Sequence, residues 1–113
     1  MSRGRVGLVE LREYTLHHGK VPEYLALYEA EGLAIQIPIL GTMLGYYHTE
    51  VGIQNQIVHL WGYADHSDRE ARRTRLQQST EWKAYLPKIQ PLLLLQQTRI
   101  MRPAPFFDQE LGG

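Results

Sequence analysis

Three residues in the middle of the chain have side chains suited to chemistry: His48, Glu50 and His59. Two imidazoles and a carboxylate are the ligand types of a two-His-one-carboxylate iron site, and an imidazole that titrates near neutral pH can also take a proton from a bound organic substrate. Asn55 and Trp61 carry N–H groups able to donate to a developing anion. The spacing matches no metal motif, because His48 and Glu50 lie two apart, unlike the His-Glu-x-x-His pattern that brings two histidines to one helix face. No metal and no cofactor are therefore assigned. His48 and His59 stand as candidate catalytic residues beside a simpler reading, in which Asn55 and Gln56 stabilise a turn, Trp61 fills core and the histidines complete a polar network.

A hairpin must position these groups. Residues 41–50 are rich in Met, Leu, Tyr and Thr, Val51-Gly52-Ile53-Gln54 makes a turn, and 55–63 return as Val, Ile, Leu and aromatics. If Glu50 stands opposite Asn55, alternation puts Leu44, Tyr46, His48 and Glu50 on the face of Asn55, Ile57, His59 and Trp61. Tyr46, His48, Glu50, Asn55, His59 and Trp61 are then the expected ligand-binding residues, lining a barrel cavity or cleft. Met43, Gly45, Tyr47, Val58 and Leu60 would face the other way, as a core packed under helices. A slip of one residue would scatter the set.

The flanking elements follow from periodicity and punctuation. Residues 8–16 alternate apolar and charged types as a strand with one wet and one dry face. Gly19 breaks it, Pro22 suits a first helical turn, and apolar residues recur at helical spacing over 21–36, until Pro38 forbids continuation. Gly32 inside that helix points to close packing on the sheet. Ser67 with Glu70 forms a capping box for a second helix running to Gln78; Ser79 or Thr80 caps a shorter piece carrying Trp82, Tyr85 and Leu86, which Pro87 stops. A last strand spans 92–101, with Leu92-Leu93-Leu94-Leu95 read as buried strand, and 103–113 form an extended tail after a core of about 7–102.

The resulting order is strand, helix, strand, strand, helix, strand: an α+β, ferredoxin-like βαββαβ fold with a four-stranded antiparallel sheet. Right-handed crossovers place both helices on one face. The bare face still carries apolar and aromatic residues, so a second copy packing sheet to sheet, as a homodimer, is the expected cover.

Other patterns exclude more than they assign. Arg69, Arg72, Arg73 and Arg75 are interleaved with acids and read as a solvated, ion-paired helix face without a stacking platform for nucleic acid. His17-His18-Gly19-Lys20 lacks the glycine and hydroxyl spacing of a phosphate loop. Twelve basic and twelve acidic residues give no net field to gather nucleic acid or an anionic membrane. With no cysteine, disulfide and thiol chemistry drop out, and the reducing cytoplasm is the expected compartment. No signal peptide is read at the start, and no apolar run approaches the roughly 20 residues of a spanning helix. A single domain over 1–113 is expected.

Glu10-Leu11-Arg12-Glu13-Tyr14-Thr15, Leu44-Gly45-Tyr46-Tyr47-His48-Thr49-Glu50-Val51-Gly52, Asn55-Gln56, His59-Leu60-Trp61 and Arg69-Glu70 before Arg72-Arg73 together resemble the NIPSNAP family, in the right order from Glu10 to Pro105. The resemblance implies a dimeric α/β barrel, a fold class shared with cofactor-free monooxygenases and with small-molecule-binding proteins, and it carries no particular reaction with it. Three readings stand: a small-molecule-binding or sensing module, a cofactor-independent monooxygenase-like enzyme, and a dimeric protein-interaction domain using Phe106 and Phe107. The first two require a pocket.

Overall fold

The computed structural model describes residues 4–112. Strand β1 (Leu8–Leu16) follows its alternation: Leu8, Glu10, Tyr14 and Leu16 are buried on one face, while Val9, Leu11, Glu13 and Thr15 are half-buried on the other. After Gly19, whose φ of 75° suits a residue without Cβ, α1 (Val21–Leu27) leads without interruption through a π-helical turn (Tyr28–Gly32) into α2 (Leu33–Leu40). The helix thus runs beyond its expected end at Gln36 and contains Pro38. Pro38 has no N–H to give the Ala34 carbonyl four residues back, yet the helix continues for two residues beyond it. At its C-terminal end Arg72 and Arg75 both donate to the Ile39 carbonyl at 3.1 Å, and Gly41 (φ 90°) ends the helix. Gly32 packs on another helix rather than on the sheet: a Cβ there would stand 2.8 Å from the Tyr85 ring.

The hairpin is β2 (Thr42–His48) and β3 (Gln56–Tyr63). Tyr46 pairs with His59 and His48 with Ile57, the register that continues to Glu50 opposite Asn55. Two expectations fail here. A bulge between Met43 and Gly45 takes Leu44 out of the pattern and turns it to the opposite face, near Gly62. The faces are also exchanged: Ile57, His59, Trp61 and Tyr63 are the buried side, under the helices, whereas Tyr47, 59% exposed, and half-buried Val58 and Leu60 lie on the bare face.

Helix α3 (His66–Gln78) is capped by Asp65, whose Oδ1 accepts from the Asp68 N–H at 2.8 Å, so the cap lies two residues before the expected Ser67. Ser79 caps α4 (Thr80–Ile89) as expected, accepting from the Trp82 N–H at 3.2 Å. The helix passes through Pro87, and a 3₁₀ turn (Gln90–Leu92) leads into β4 (Leu93–Met101). The sheet order is β2-β3-β1-β4, all antiparallel, with the helices on one face. Of the leucine run read as buried strand, only Leu92 is buried; Leu94 and Leu95 are 63% and 50% exposed because β4 is an edge strand. The segment after β4 is tied to the body of the domain. Arg5 bridges antiparallel to Glu110, Val6 donates to Gln109, and Gly112 donates to the Thr42 hydroxyl. Among the described residues no helix is long and apolar enough to cross a membrane.

Candidate functional site

Glu10 is fully buried on the helix-facing side of β1. A carboxylate is costly to remove from water unless its lone pairs are met, and here both oxygens are. Arg73 donates to Oε1 through Nε at 3.0 Å and Nη2 at 2.7 Å, and the Tyr63 hydroxyl joins it at 2.8 Å. Arg69 Nη2 and Arg12 Nη1 donate to Oε2 at 2.7 and 3.2 Å. The geometry follows from two periodicities: Arg69 and Arg73 are four apart on α3, and Arg12 is two on from Glu10 along β1. Burial alone would raise the Glu10 carboxyl, but the Arg73 charge, the hydrogen bonds of Arg69 and Tyr63, and Arg12 outweigh it and hold it at about 2.

His59 lies beside this cluster, opposite Arg12 on β1 and Tyr46 on β2. Tyr46 stacks on the imidazole with ring centroids 4.6 Å apart, and Tyr14 meets it edge-on at 4.8 Å. The Trp61 indole N–H donates to His59 Nδ1 at 2.7 Å. Indole nitrogen can only donate, so Nδ1 carries no proton, the ring is neutral and its single proton is assigned to Nε2. Burial, reinforced by Arg12 and Arg73 and only partly opposed by Glu10, pushes His59 down to about 3. Its Nε2 is buried with no hydrogen-bond partner among the described residues, and so is Arg69 Nε.

Both residues border a cavity of about 520 Å³ between the sheet and the helices, within the size range of small-molecule sites. Arg12, Tyr14, His59 and Gln96 form its sheet side. Tyr24 and Tyr28 of the first helix and Trp82, Leu86 and Ile89 of the last supply apolar walls, and exposed Glu70, Thr74 and Gln77 stand at the mouth. The tyrosines are tied down: Tyr24 and Tyr46 share a hydrogen bond of 2.7 Å, and Tyr28 donates to Gln36 at 2.6 Å. Burial raises all three phenols above their ordinary value, so they stay neutral. The cavity therefore offers hydrogen-bond donors rather than a free base.

Of the six residues expected to bind a ligand, His59 alone lines this cavity. Tyr46 and Trp61 hold His59 in place from beside it. His48 and Glu50 are exposed at the far end of the hairpin. Asn55 takes a left-handed conformation (φ 62°) in the turn, and its Oδ1 accepts from the Gly19 N–H at 3.1 Å. No metal-holding cluster of His, Asp or Glu forms among the described residues. The sequence reading gave Glu10 and Arg12 no role in a site and took Arg69 and Arg73 for a solvated, ion-paired face, whereas both reach inward to buried Glu10. The available signal was a glutamate at the dry parity of a strand, Leu8-x-Glu10, together with arginines spaced i, i+4.

Comparison with known proteins fits this architecture. The NIPSNAP family profile matches residues 9–107. The Atu4242 protein of Agrobacterium tumefaciens, a NIPSNAP family protein with unknown function, is 41% identical with a TM-score of 0.86, over 88% of this chain and 95% of that one. A NIPSNAP-like domain protein from Burkholderia xenovorans is 43% identical with a TM-score of 0.88, over 91% and 90% of the two chains. A Nitrosomonas europaea protein described as a candidate antibiotic biosynthesis monooxygenase shares the fold at 10% identity, with a TM-score of 0.64 over 85% and 97% of the chains. No curated protein matches the sequence. With a matching profile over nearly its whole length and relatives above 40% identity, the chain belongs to the NIPSNAP family.

Proposed function

We propose that this chain is a small-molecule-binding module that holds its ligand in the cavity beside His59 and works as a sheet-to-sheet dimer. One observation carries the binding reading: a cavity of about 520 Å³ is lined by His59, whose buried Nε2 has no hydrogen-bond partner among the described residues. A buried polar atom left unpaired costs on the order of 1–3 kcal/mol, a cost that a ligand's hydrogen bond recovers. Binding is favoured over proton abstraction because the lone pair a base would use, on Nδ1, already accepts from Trp61. The dimer rests on the bare face, where Val58, Leu60 and Leu11 are joined by exposed Tyr47 and Leu95.

A fragment screen by saturation-transfer NMR tests the site, with Thr74→Trp as the blocking variant. Thr74 is exposed at the mouth, so the larger ring closes the cavity without entering the core. Hits should be lost in the variant while its melting temperature stays unchanged; hits that bind both proteins equally would place the ligand elsewhere. Sedimentation of the wild type and of Leu60→Glu tests the dimer, with a wild-type monomer at micromolar concentration as the refuting result.

A further inference from the structure

Resting on that binding reading, we infer that the ligand is an organic anion: a flat, ring-bearing body with a carboxylate or comparable oxyanion, whose oxygens take the Nε2–H of His59 and the arginines around Glu10. Three features converge on this chemistry.

The first is polarity of hydrogen bonding. Trp61 fixes the proton on His59 Nε2, so the buried atom at the cavity is a donor with no acceptor. Arg69 Nε, also buried and unpartnered, is a donor in any protonation state. A ligand satisfying both must bring acceptor oxygens. An ammonium or amidinium head would face donors with donors.

The second is charge. Arg12, Arg69 and Arg73 converge on one buried carboxylate, and both oxygens of Glu10 are already occupied by these arginines and Tyr63. Positive charge at the inner wall therefore exceeds negative. Among the described residues the one acid lining the cavity is Glu70, exposed at the mouth, where water screens it. An anion entering this wall gains more than it would in solvent, since the guanidiniums are already desolvated and held in place.

The third is the shape of the remainder. Tyr14, Tyr28, Trp82, Leu86, Ile89 and Leu93 offer ring faces and aliphatic surface with no free charge. They can pack on the faces of a ring-bearing body, while Gln36, Thr74, Gln77, Gln90 and Gln96 around them can take polar substituents that it carries.

The test uses three probes of one shape: 2-naphthoate, neutral 2-naphthamide and the cation 2-naphthylmethylammonium. They are titrated into the wild type, Thr74→Trp and Arg69→Gln, with the His59 ring nitrogens followed by ¹⁵N NMR in the wild type. The free protein should show a protonated Nε2 and an unprotonated Nδ1. Naphthoate should bind at least about tenfold more tightly than naphthamide, shift the His59 Nε2 signal, and lose most of that advantage in Arg69→Gln while naphthamide affinity does not change. Naphthamide or the cation binding the cavity as tightly as naphthoate would overturn the anion assignment and leave the binding module intact, and so would a proton on Nδ1. If no probe of any charge binds at millimolar concentration, or Thr74→Trp blocks none of them, both readings fall. Because the wild-type titration needs no variant, a misfolded Arg69→Gln would not remove the test.

Discussion

Replacing Glu10 by glutamine keeps the shape of the side chain and removes the one negative charge among three guanidiniums, while turning one acceptor oxygen into an NH₂ donor that faces other donors. The structure sets the size of the effect. The folded carboxyl sits at about 2 against an ordinary value of 4.5, a difference equivalent to about 3 kcal/mol at roughly 1.4 kcal/mol per pH unit. The folded value is depressed, so this contribution is fully present above pH 4.5 and disappears as the pH falls towards 2. Urea unfolding followed by circular dichroism, at one protein concentration and at pH 7, 5 and 3, measures it. Glu10→Gln should be about 3 kcal/mol less stable at pH 7 and 5, with the gap shrinking at pH 3 as the glutamate of the unfolded wild-type chain takes up its proton. At neutral pH this corresponds to a fall in melting temperature on the order of 10 °C or more for a domain of this size. His59 titrates in both proteins and largely cancels in the difference. A gap below about 1 kcal/mol at pH 7, or one that does not vary between pH 5 and 3, would refute the claim that Glu10 is held charged by its arginines.

His59 is pushed down to about 3 from its ordinary 6.5, so the preference of the fold for its neutral form is fully expressed above pH 6.5 and is lost as pH falls towards 3; its NMR signals should show no midpoint between pH 8 and 5. Trp61→Phe removes the donor to Nδ1 and should cost about 1–3 kcal/mol by urea unfolding, with the His59 proton no longer confined to Nε2 in ¹⁵N spectra. Gly32→Ala places a methyl 2.7 Å from the Tyr28 ring and 2.8 Å from that of Tyr85. Both rings are buried and unable to swing away, so a loss of about 1–3 kcal/mol is expected in the same assay, against the usual gain of alanine over glycine in a helix.

Alternation made β1 and the hairpin register legible, because a period of two leaves few ways to pair Tyr46 with His59. It could not reveal the bulge at Leu44, since one extra residue leaves no trace in a run of mixed apolar and aromatic types. Nor could it decide which face lies under the helices: Tyr47 and Leu60 look as core-like as Tyr46 and Trp61, and the helices' own contacts settle the matter. Pro38 and Pro87 marked helix ends that do not occur: the helices run on to Leu40 and Ile89, and the end of the first is tied by Arg72 and Arg75 from a distant part of the chain. The centre of the candidate site was hidden for a related reason. Glu10 and Arg73 are ordinary surface types, and only the packing of α3 on β1 makes them a buried cluster; read along the chain, the same arginines look like a solvated face.

The π-helical turn at Tyr28–Gly32 makes the wall of the cavity tolerant of a change in the count of residues. A π turn holds one more residue than α-geometry would, and each residue advances a helix by about 100°. The π turn absorbs that extra residue within itself, so α1 and α2 keep the relative phase that sets Tyr24 against the Tyr46 hydroxyl and Tyr28 against Gln36. Deleting Ala30, an exposed position, would let the turn close to ordinary α-geometry with that phase kept, and the pocket wall should survive it. The turn is thus a store of spare chain length: the helix can give up one residue here, whereas in purely α-helical segments the same loss would rotate everything before it by about 100°.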